Sequence, residues 1–291
     1  MLKRVLVTTD LSEASSKVME QMNFLACLGS REAVLMHCAN VRDVGALTEQ
    51  LESELKKALE EQKTILAGQG FQVETELVLG LPHMEIHRVA EEKECSLIVV
   101  GSHGRNVLVS AATLGGVAFE VVNSSTLPVL VVRLKTVLEE GCKTCQIACE
   151  NMAHHVLYVT DFSKTAERAF SYLEKIVETG ARRITLLHVQ DKLRVKEYLE
   201  DFNRIDRARL EKLRDHLLGM GAEEVSIEIP YGHPGKEIIQ CSRERGVSLI
   251  VMGSQGRGFS QEIFLGSVSK EVVRTAPVPV LLIPAERITP P

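Results

Sequence analysis

The sequence predicts an α/β protein built from two tandem, doubly wound, five-stranded parallel-sheet domains. Three observations carry this reading. The chain repeats itself at a nearly constant offset. Each repeat alternates short apolar, β-branched runs with helical stretches. A spaced set of glycines follows the fourth apolar run of each repeat.

The repeat is legible segment by segment. Arg4–Ser12 matches His155–Ser163, and Val34–His37 matches Thr185–His188. Gly80–Ile86 matches Gly232–Ile238, Ser96–Ser102 matches Ser248–Ser254, and Pro128–Val132 matches Pro279–Ile283. The offset stays at 151 or 152 across all five segments, which chance similarity would not sustain. Domains are expected at residues 1–137 and 154–291, joined by a cysteine-containing linker at 138–153.

In the first repeat, strands are expected near 4–8, 33–38, 72–78, 97–100 and 128–132. Their uninterrupted apolar character suits strands buried on both faces of a parallel sheet. Ser12 opens the first helix as its cap, with Glu13 in the first turn, and Gly29 closes it. A second helix is expected over 45–67, stopped by Gly68. Pro82 opens a third at the favoured first-turn position. In the second repeat, the charge-rich stretch 192–216 reads as a solvated helix with an apolar stripe at Leu199, Phe202 and Leu210. Alternating strand and helix in this order implies right-handed crossovers.

Composition narrows the function. The 291 residues suit about two domains. The net charge of −5, the absence of Trp and the lack of a long basic run argue against nucleic-acid binding. Apolar runs such as Leu97–Val100 are too short to span a bilayer, and the run after Lys3-Arg4 stops too soon for a signal peptide. A cytoplasmic location, with no membrane partner, is the expectation. Seven cysteines do not read as a secreted disulfide framework.

The glycines point to an anion. The second repeat reads Gly253-Ser254-Gln255-Gly256, then nine residues, then Gly266-Ser267. The first reads Gly101-Ser102-His103-Gly104, then ten residues, then Gly115-Gly116. Glycine lets backbone approach a phosphate, and a helix start aims N–H groups at it. In open α/β sheets, ligands bind beyond the carboxyl ends of the strands, where the strand order reverses. Strand one ends at Asp10 or Asp161, and strand four at Gly101 or Gly253. If these strands are neighbours, the motifs meet in one crevice. A dinucleotide fingerprint would instead place its glycines directly after strand one.

With these motifs in order, the chain resembles the universal stress protein family in its tandem form, and the G-x2-G-x9-G-S spacing resembles its ATP-binding branch. The resemblance implies an adenine nucleotide alpha-hydrolase-like fold with strand order 3-2-1-4-5. It implies ATP or AMP as ligand, with magnesium accompanying ATP. In the second domain it assigns Thr160 and Asp161 to the ribose or adenine end, and Val189 and Met252 to the base. Gly253, Gly256 and Gly266 bring backbone amides to ribose and phosphates. Ser267 and Ser269, with Val268 between them, supply hydroxyls to phosphate oxygens. It also implies pairing through the last strands, within the chain and between chains as a homodimer. The first domain departs from the pattern: its gap is ten residues, Gly116 stands for Ser267 and Cys38 for Val189. Losing a hydroxyl donor to a charged acceptor costs roughly 1.5–3 kcal/mol. Its remnants Asp10, Gly101, Gly104 and Gly115 are expected to form a weaker or vacant site.

Cys142, Cys145 and Cys149 lie in the linker and have no counterpart elsewhere in the repeat. The C-x2-C spacing, with His154 or His155, suits zinc or an iron–sulfur cluster; a redox disulfide and inert thiols are the alternatives. If the segment is helical, the three thiols share one face. His83 and His87 read as a solvated helix start rather than a metal pair, and His37 and His188 as core histidines. The leading function is a nucleotide-binding stress-response regulator with an unidentified protein partner. A slow ATPase, a metal- or redox-sensing adaptor acting through the linker, and a purely structural dimerisation module are the rivals. No catalytic residue is assigned.

Overall fold

The computed structural model describes residues 3–44, 48–102, 114–139, 142–147, 151–191, 199–256 and 265–286. The side chains of 27, 43, 44, 135–139, 142–147 and 199–202 lie outside that description. The chain divides into two compact units, Met1–Glu150 and Asn151–Pro291.

The first unit runs β1 (Arg4–Thr9), α1 (Glu13–Glu20), α2 (Asn23–Cys27), β2 (Glu32–Asn40), α3 (Val41–Val44), α4 (Glu49–Gly68), β3 (Gln72–Gly80), α5 (Pro82–Glu92), β4 (Leu97–Gly101), α6 (Gly116–Ser124) and β5 (Val129–Val132). A hairpin follows, of β6 (Leu134–Glu139) and β7 (Cys142–Ile147). The second unit runs β8 (Val156–Val159), α7 (Lys164–Glu178), β9 (Arg183–Leu187), β10 (Gln190–Asp191), α8 (Leu199–Gly219), β11 (Glu224–Glu228), β12 (Tyr231–Gly232), α9 (Pro234–Glu244), β13 (Leu249–Gly253), α10 (Ser267–Thr275) and β14 (Val280–Ile283).

Each unit builds the expected sheet. In the first, β1 pairs in parallel with β2 and β4, β2 with β3, and β4 with β5. In the second, β8 pairs in parallel with β9 and β13, β9 with β11, and β13 with β14. Both give the order 3-2-1-4-5, so strands one and four are neighbours and the strand order reverses between them. The central strands are dry: Val5, Leu6, Val7, Leu97, Ile98 and Val99 are fully buried, as are Val156, Leu157, Ile250 and Val251. That explains runs without polar alternation.

The helices begin where their caps predict. Ser12, Thr48 and Ser163 each accept a backbone N–H from the first turn of the following helix. Gly70 and Gly221 end the long helices at matching positions, with φ of +84° and +106°, a conformation a side chain resists. The expected stripe of α8 includes Leu210, which is fully buried along with Leu217; the side chains of Leu199 and Phe202 lie outside the described part.

Four expectations are corrected. The first helix breaks at Gln21–Met22 into α1 and α2. The second begins at Glu49 because Thr48 caps it, and it takes in Gly68. The helix expected over 192–216 is described over Leu199–Gly219; residues 192–198 lie outside the described ones. The cysteine segment is not helical over 142–147: β7 pairs antiparallel with β6, Cys142 opposite Glu139 and Cys145 opposite Thr136. A shared helical face for the cysteines is therefore gone. Among the described residues, no group of three or more His, Cys, Asp or Glu is placed to hold a metal ion. Cys149 lies outside them. Among the described residues, no helix is long and apolar enough to cross a membrane.

His155, at the head of β8, is almost fully buried. Its Nδ1 lies 3.1 Å from the Arg245 carbonyl oxygen and its Nε2 2.9 Å from Thr185 Oγ1. A carbonyl only accepts, so Nδ1 carries the proton and Nε2 accepts from the threonine. This neutral tautomer is satisfied at both nitrogens. Burial, with Arg183 nearby, lowers its pKa. The folded state therefore resists a proton that the unfolded chain takes up near pH 6.5. This contribution is present above that pH and is lost as pH falls below it. Urea midpoints should drop between pH 7 and pH 5, and His155→Gln should shrink that drop.

Candidate functional site

The site starts from the way strand one leaves the sheet. In the second unit the sequence Thr160-Asp161-Phe162-Ser163 makes a tight turn into α7. Thr160 Oγ1 accepts from the Phe162 N–H at 2.9 Å, and Asp161 Oδ1 accepts from the Ser163 N–H at 3.1 Å. Ser163 Oγ accepts from the Ala166 N–H at 3.2 Å. Each side chain satisfies an N–H two or three residues ahead, which is why these short polar residues recur here. The turn puts Phe162 at φ +59°, a costly conformation for a bulky residue.

The first unit builds the same turn from Thr9-Asp10-Leu11-Ser12, with Leu11 at φ +63°. Thr9 Oγ1 accepts from the Leu11 N–H at 2.9 Å and Asp10 Oδ1 from the Ser12 N–H at 3.1 Å. Here the aspartate carries more. Ser12 Oγ and Ser15 Oγ both donate to the same Oδ1, each at 2.5 Å. Ala166 stands where Ser15 stands, so the second unit lacks one of those hydroxyls.

Strand four meets the turn. A Cβ on Gly256 would sit 2.6 Å from Asp161 Oδ2, so the loop after β13 passes close to the carboxylate, and a side chain there would displace it. A Cβ on Gly253 would meet Thr165 Cγ2 at 2.8 Å and the Thr165 backbone at 3.1 Å. That glycine serves the packing of β13 against α7. Gly266 caps α10, its N–H bonded to the Ser254 carbonyl at 2.8 Å, and among the described residues no side chain caps this helix start. Ser267 is exposed and Val268 half-buried at its first positions. The amides of 267–269 precede the first intrahelical bond, from Lys270 N–H to the Gly266 carbonyl. They form a positive end of the helix dipole.

Ser269 has a different duty from the one its position suggests. It is buried, and its hydroxyl donates to the Gly253 carbonyl at 2.9 Å, tying α10 to the strand end. Ala118 takes its place in the first unit, where Gly115 caps α6 and bonds the Ser102 carbonyl at 2.9 Å. Gly101 ends β4, and Gly104 lies outside the described residues. Ser254 Oγ is buried and has no hydrogen-bond partner among the described residues, whereas its counterpart Ser102 accepts from the Leu134 N–H at 3.2 Å.

Val189 sits where the second strand is interrupted between β9 and β10. His188 and Gln190 direct their N–H groups to Glu228 and Pro230 of the neighbouring chain segment, while the Leu187 carbonyl accepts from Thr160. Alternation along the strand turns the Val189 N–H and C=O to the β8 side, beyond the point where β8 has ended. Met252 is buried within β13, in register with Val159 and Leu282. It is part of the sheet core under the crevice. His154 lies apart, in the lead-in to β8, its N–H bonded to the Asn151 carbonyl.

Sequence reasoning missed the support behind the turn. His188 Nδ1 lies 2.8 Å from the Thr160 carbonyl oxygen, and its Nε2 lies 3.3 Å from Asp206 Oδ2 on α8. Gln190 donates to the same oxygen at 3.1 Å. The Phe162 ring packs on His188, centroids 4.7 Å apart, and the Arg209 guanidinium lies 5.1 Å from the Phe162 centroid. The available signal was the repeat itself: Asp206 and Arg209 align with Leu55 and Ala58 at the offset of 151.

The two glycines separate by experiment. Gly253→Ala should lower unfolding stability by about 1–3 kcal/mol through overpacking against Thr165, read by urea denaturation. Gly256→Ala meets only a side-chain carboxylate. It should leave the urea midpoint nearly unchanged while weakening ligand binding at the crevice, measured by calorimetry with ATP.

Comparison with known proteins agrees with this architecture. The sequence profile of the universal stress protein family matches residues 1–133 and 152–284. Universal stress protein MJ0577 of Methanocaldococcus jannaschii is 31% identical over 158 residues, covering 46% of this chain and 97% of its own. Universal stress protein Rv2005c of Mycobacterium tuberculosis is 25% identical over 226 residues, covering 76% of this chain and 72% of its own. The crystal structure of a universal stress protein from Archaeoglobus fulgidus superposes with a TM-score of 0.72 at 26% identity, covering 96% of this chain and 95% of that one. With both of its repeats matched, the chain belongs to the universal stress protein family and carries two tandem copies of its domain.

Proposed function

We propose that the protein is a stress-response regulator that binds an adenine nucleotide, ATP or AMP, in its second domain. The observation that carries this reading is the meeting of Asp161 with Gly256. A carboxylate that can accept hydrogen bonds from hydroxyls stands where a glycine leaves room, beside a helix start that no side chain among the described residues caps. The residues present suit a nucleotide. Asp161 would take ribose hydroxyls, and the Val189 backbone would read the base edge. The Gly256 and Ser267–Ser269 amides would take phosphate oxygens. The buried Ser254 hydroxyl, which has no hydrogen-bond partner among the described residues, is a further polar group at the strand end. Magnesium would enter only with ATP, on the phosphates.

The first domain is proposed to bind nucleotide weakly or not at all. Asp10 Oδ1 is taken up by the Ser12 and Ser15 hydroxyls, and Gly116 removes the hydroxyl of Ser267. In this reading the domains are 1–137 and 154–291, and each last strand offers an edge for pairing.

Denaturing the purified protein and chromatographing what it releases, or saturating it with ATP, tests this. The expected stoichiometry is about one adenine nucleotide per chain, lost in Asp161→Ala and kept in Asp10→Ala. Two per chain would overturn the reading of the first domain. None, with none taken up, would overturn the nucleotide reading.

A further inference from the structure

We propose that Asp206 and Arg209 of α8 are positioning residues that brace the Thr160–Ser163 turn and thereby set the affinity of the Asp161 site. The second clause rests on the nucleotide reading; the first does not. Phe162 adopts a backbone conformation that a bulky residue avoids, so something outside the turn must hold it. Two sets of contacts do so from one helix. Arg209 lies over the Phe162 ring at 5.1 Å. Asp206, nearly buried, takes hydrogen bonds or ion pairing from Gln190 and His188, and His188 in turn bonds the Thr160 carbonyl and packs on the Phe162 ring. Arg209 Nη1 lies 3.8 Å from the second Asp206 oxygen, which keeps the guanidinium over the ring.

The first domain supplies an independent comparison. There the matching helix braces the matching turn with other chemistry. Thr9 Oγ1 donates to Gln62 Oε1 at 2.6 Å, and Gln62 Nε2 donates to the Ser12 carbonyl at 3.3 Å and to Ser16 Oγ at 3.0 Å. Leu213 stands at the Gln62 position in the second domain, and Leu55, Ala58 and Ala39 stand at those of Asp206, Arg209 and Gln190. Each copy therefore holds the same strained turn from the same helix with residues the other lacks. In the second domain the braced group is the carboxylate aimed at Gly256.

The test compares Arg209→Ala, Arg209→Lys and the control Arg207→Ala, an exposed arginine on the same helix. The first readout is amide hydrogen exchange of residues 160–163 in nucleotide-free protein. The second is the ATP dissociation constant by calorimetry. Arg209→Ala should speed exchange at 160–163 without lowering the global melting temperature. It should also weaken ATP about two- to fivefold, the scale of an exposed cation–π contact. Arg209→Lys should restore part of both. Asp206→Asn, which keeps an acceptor for Gln190, should disturb both less than Asp206→Ala. If Arg209→Ala matches Arg207→Ala in both readouts, the brace is refuted. If exchange changes but affinity does not, the link to the site is refuted. If the wild-type protein takes up no ATP, the nucleotide reading falls by itself, and the exchange comparison alone decides the brace.

Discussion

Everything at the candidate site depends on how a fully buried central strand escapes its sheet. Strand one is flanked on both sides, so its last amides cannot be left to solvent, and an unpaired buried N–H is costly. The sequence Thr-Asp-x-Ser resolves this by turning its three polar side chains back on the backbone ahead of them. The cost is one residue forced to positive φ in each copy, Leu11 and Phe162. Once that turn is set, the helix after it is capped and the aspartate is fixed at the sheet's carboxyl edge. In the second copy the loop from strand four then passes close to that carboxylate at Gly256, where a side chain would displace it. The placement of the site is thus a by-product of hydrogen-bond accounting at one strand end.

Much of this was legible because the signals are local and repeated. Short apolar runs such as Val5-Leu6-Val7 and Leu249–Met252 read as buried strands by their length and β-branched content, and Ser12, Ser163 and Pro82 mark helix starts by their own chemistry. The glycine spacing located the crevice, although it did not distinguish Gly253, which serves packing, from Gly256, which makes room for a carboxylate. The hairpin from Leu134 to Ile147 was not legible. Its Lys- and Glu-rich composition and the three-residue spacing of Cys142 and Cys145 fit a helix, and only cross-strand pairing decides otherwise. Ser269 was misjudged for a related reason: a hydroxyl's partner is set by three-dimensional neighbours, here the Gly253 carbonyl. The Asp206–Arg209 cluster was hidden because a charged helix reads as solvated, and one buried carboxylate among exposed ones leaves no periodic trace.

The two copies show how far chemistry can diverge on one backbone. The turn, its positive φ, the strand order and the capped helix starts are shared almost atom for atom. What differs are side chains that touch the turn from outside. Gln62 is replaced by Leu213, Leu55 by Asp206, and Ser15 by Ala166. None of these changes alters an element. They redistribute which polar group satisfies which, and so they can change function at little cost to the fold. This fits the general separation between a scaffold and the site grafted onto it.

The Ser12 and Ser15 hydroxyls on Asp10 carry a consequence of another kind. They are covalently attached donors to the oxygen that also accepts the turn's own N–H. A tethered group meets its acceptor at an effective concentration that a free ligand at ordinary abundance does not reach. The two hydroxyls hold the Asp10 carboxylate in place along the chain itself, with Ser15 supplying a hydroxyl that Ala166 does not. At this carboxylate the two sequences differ by a single oxygen atom, the hydroxyl of residue 15 that Ala166 lacks.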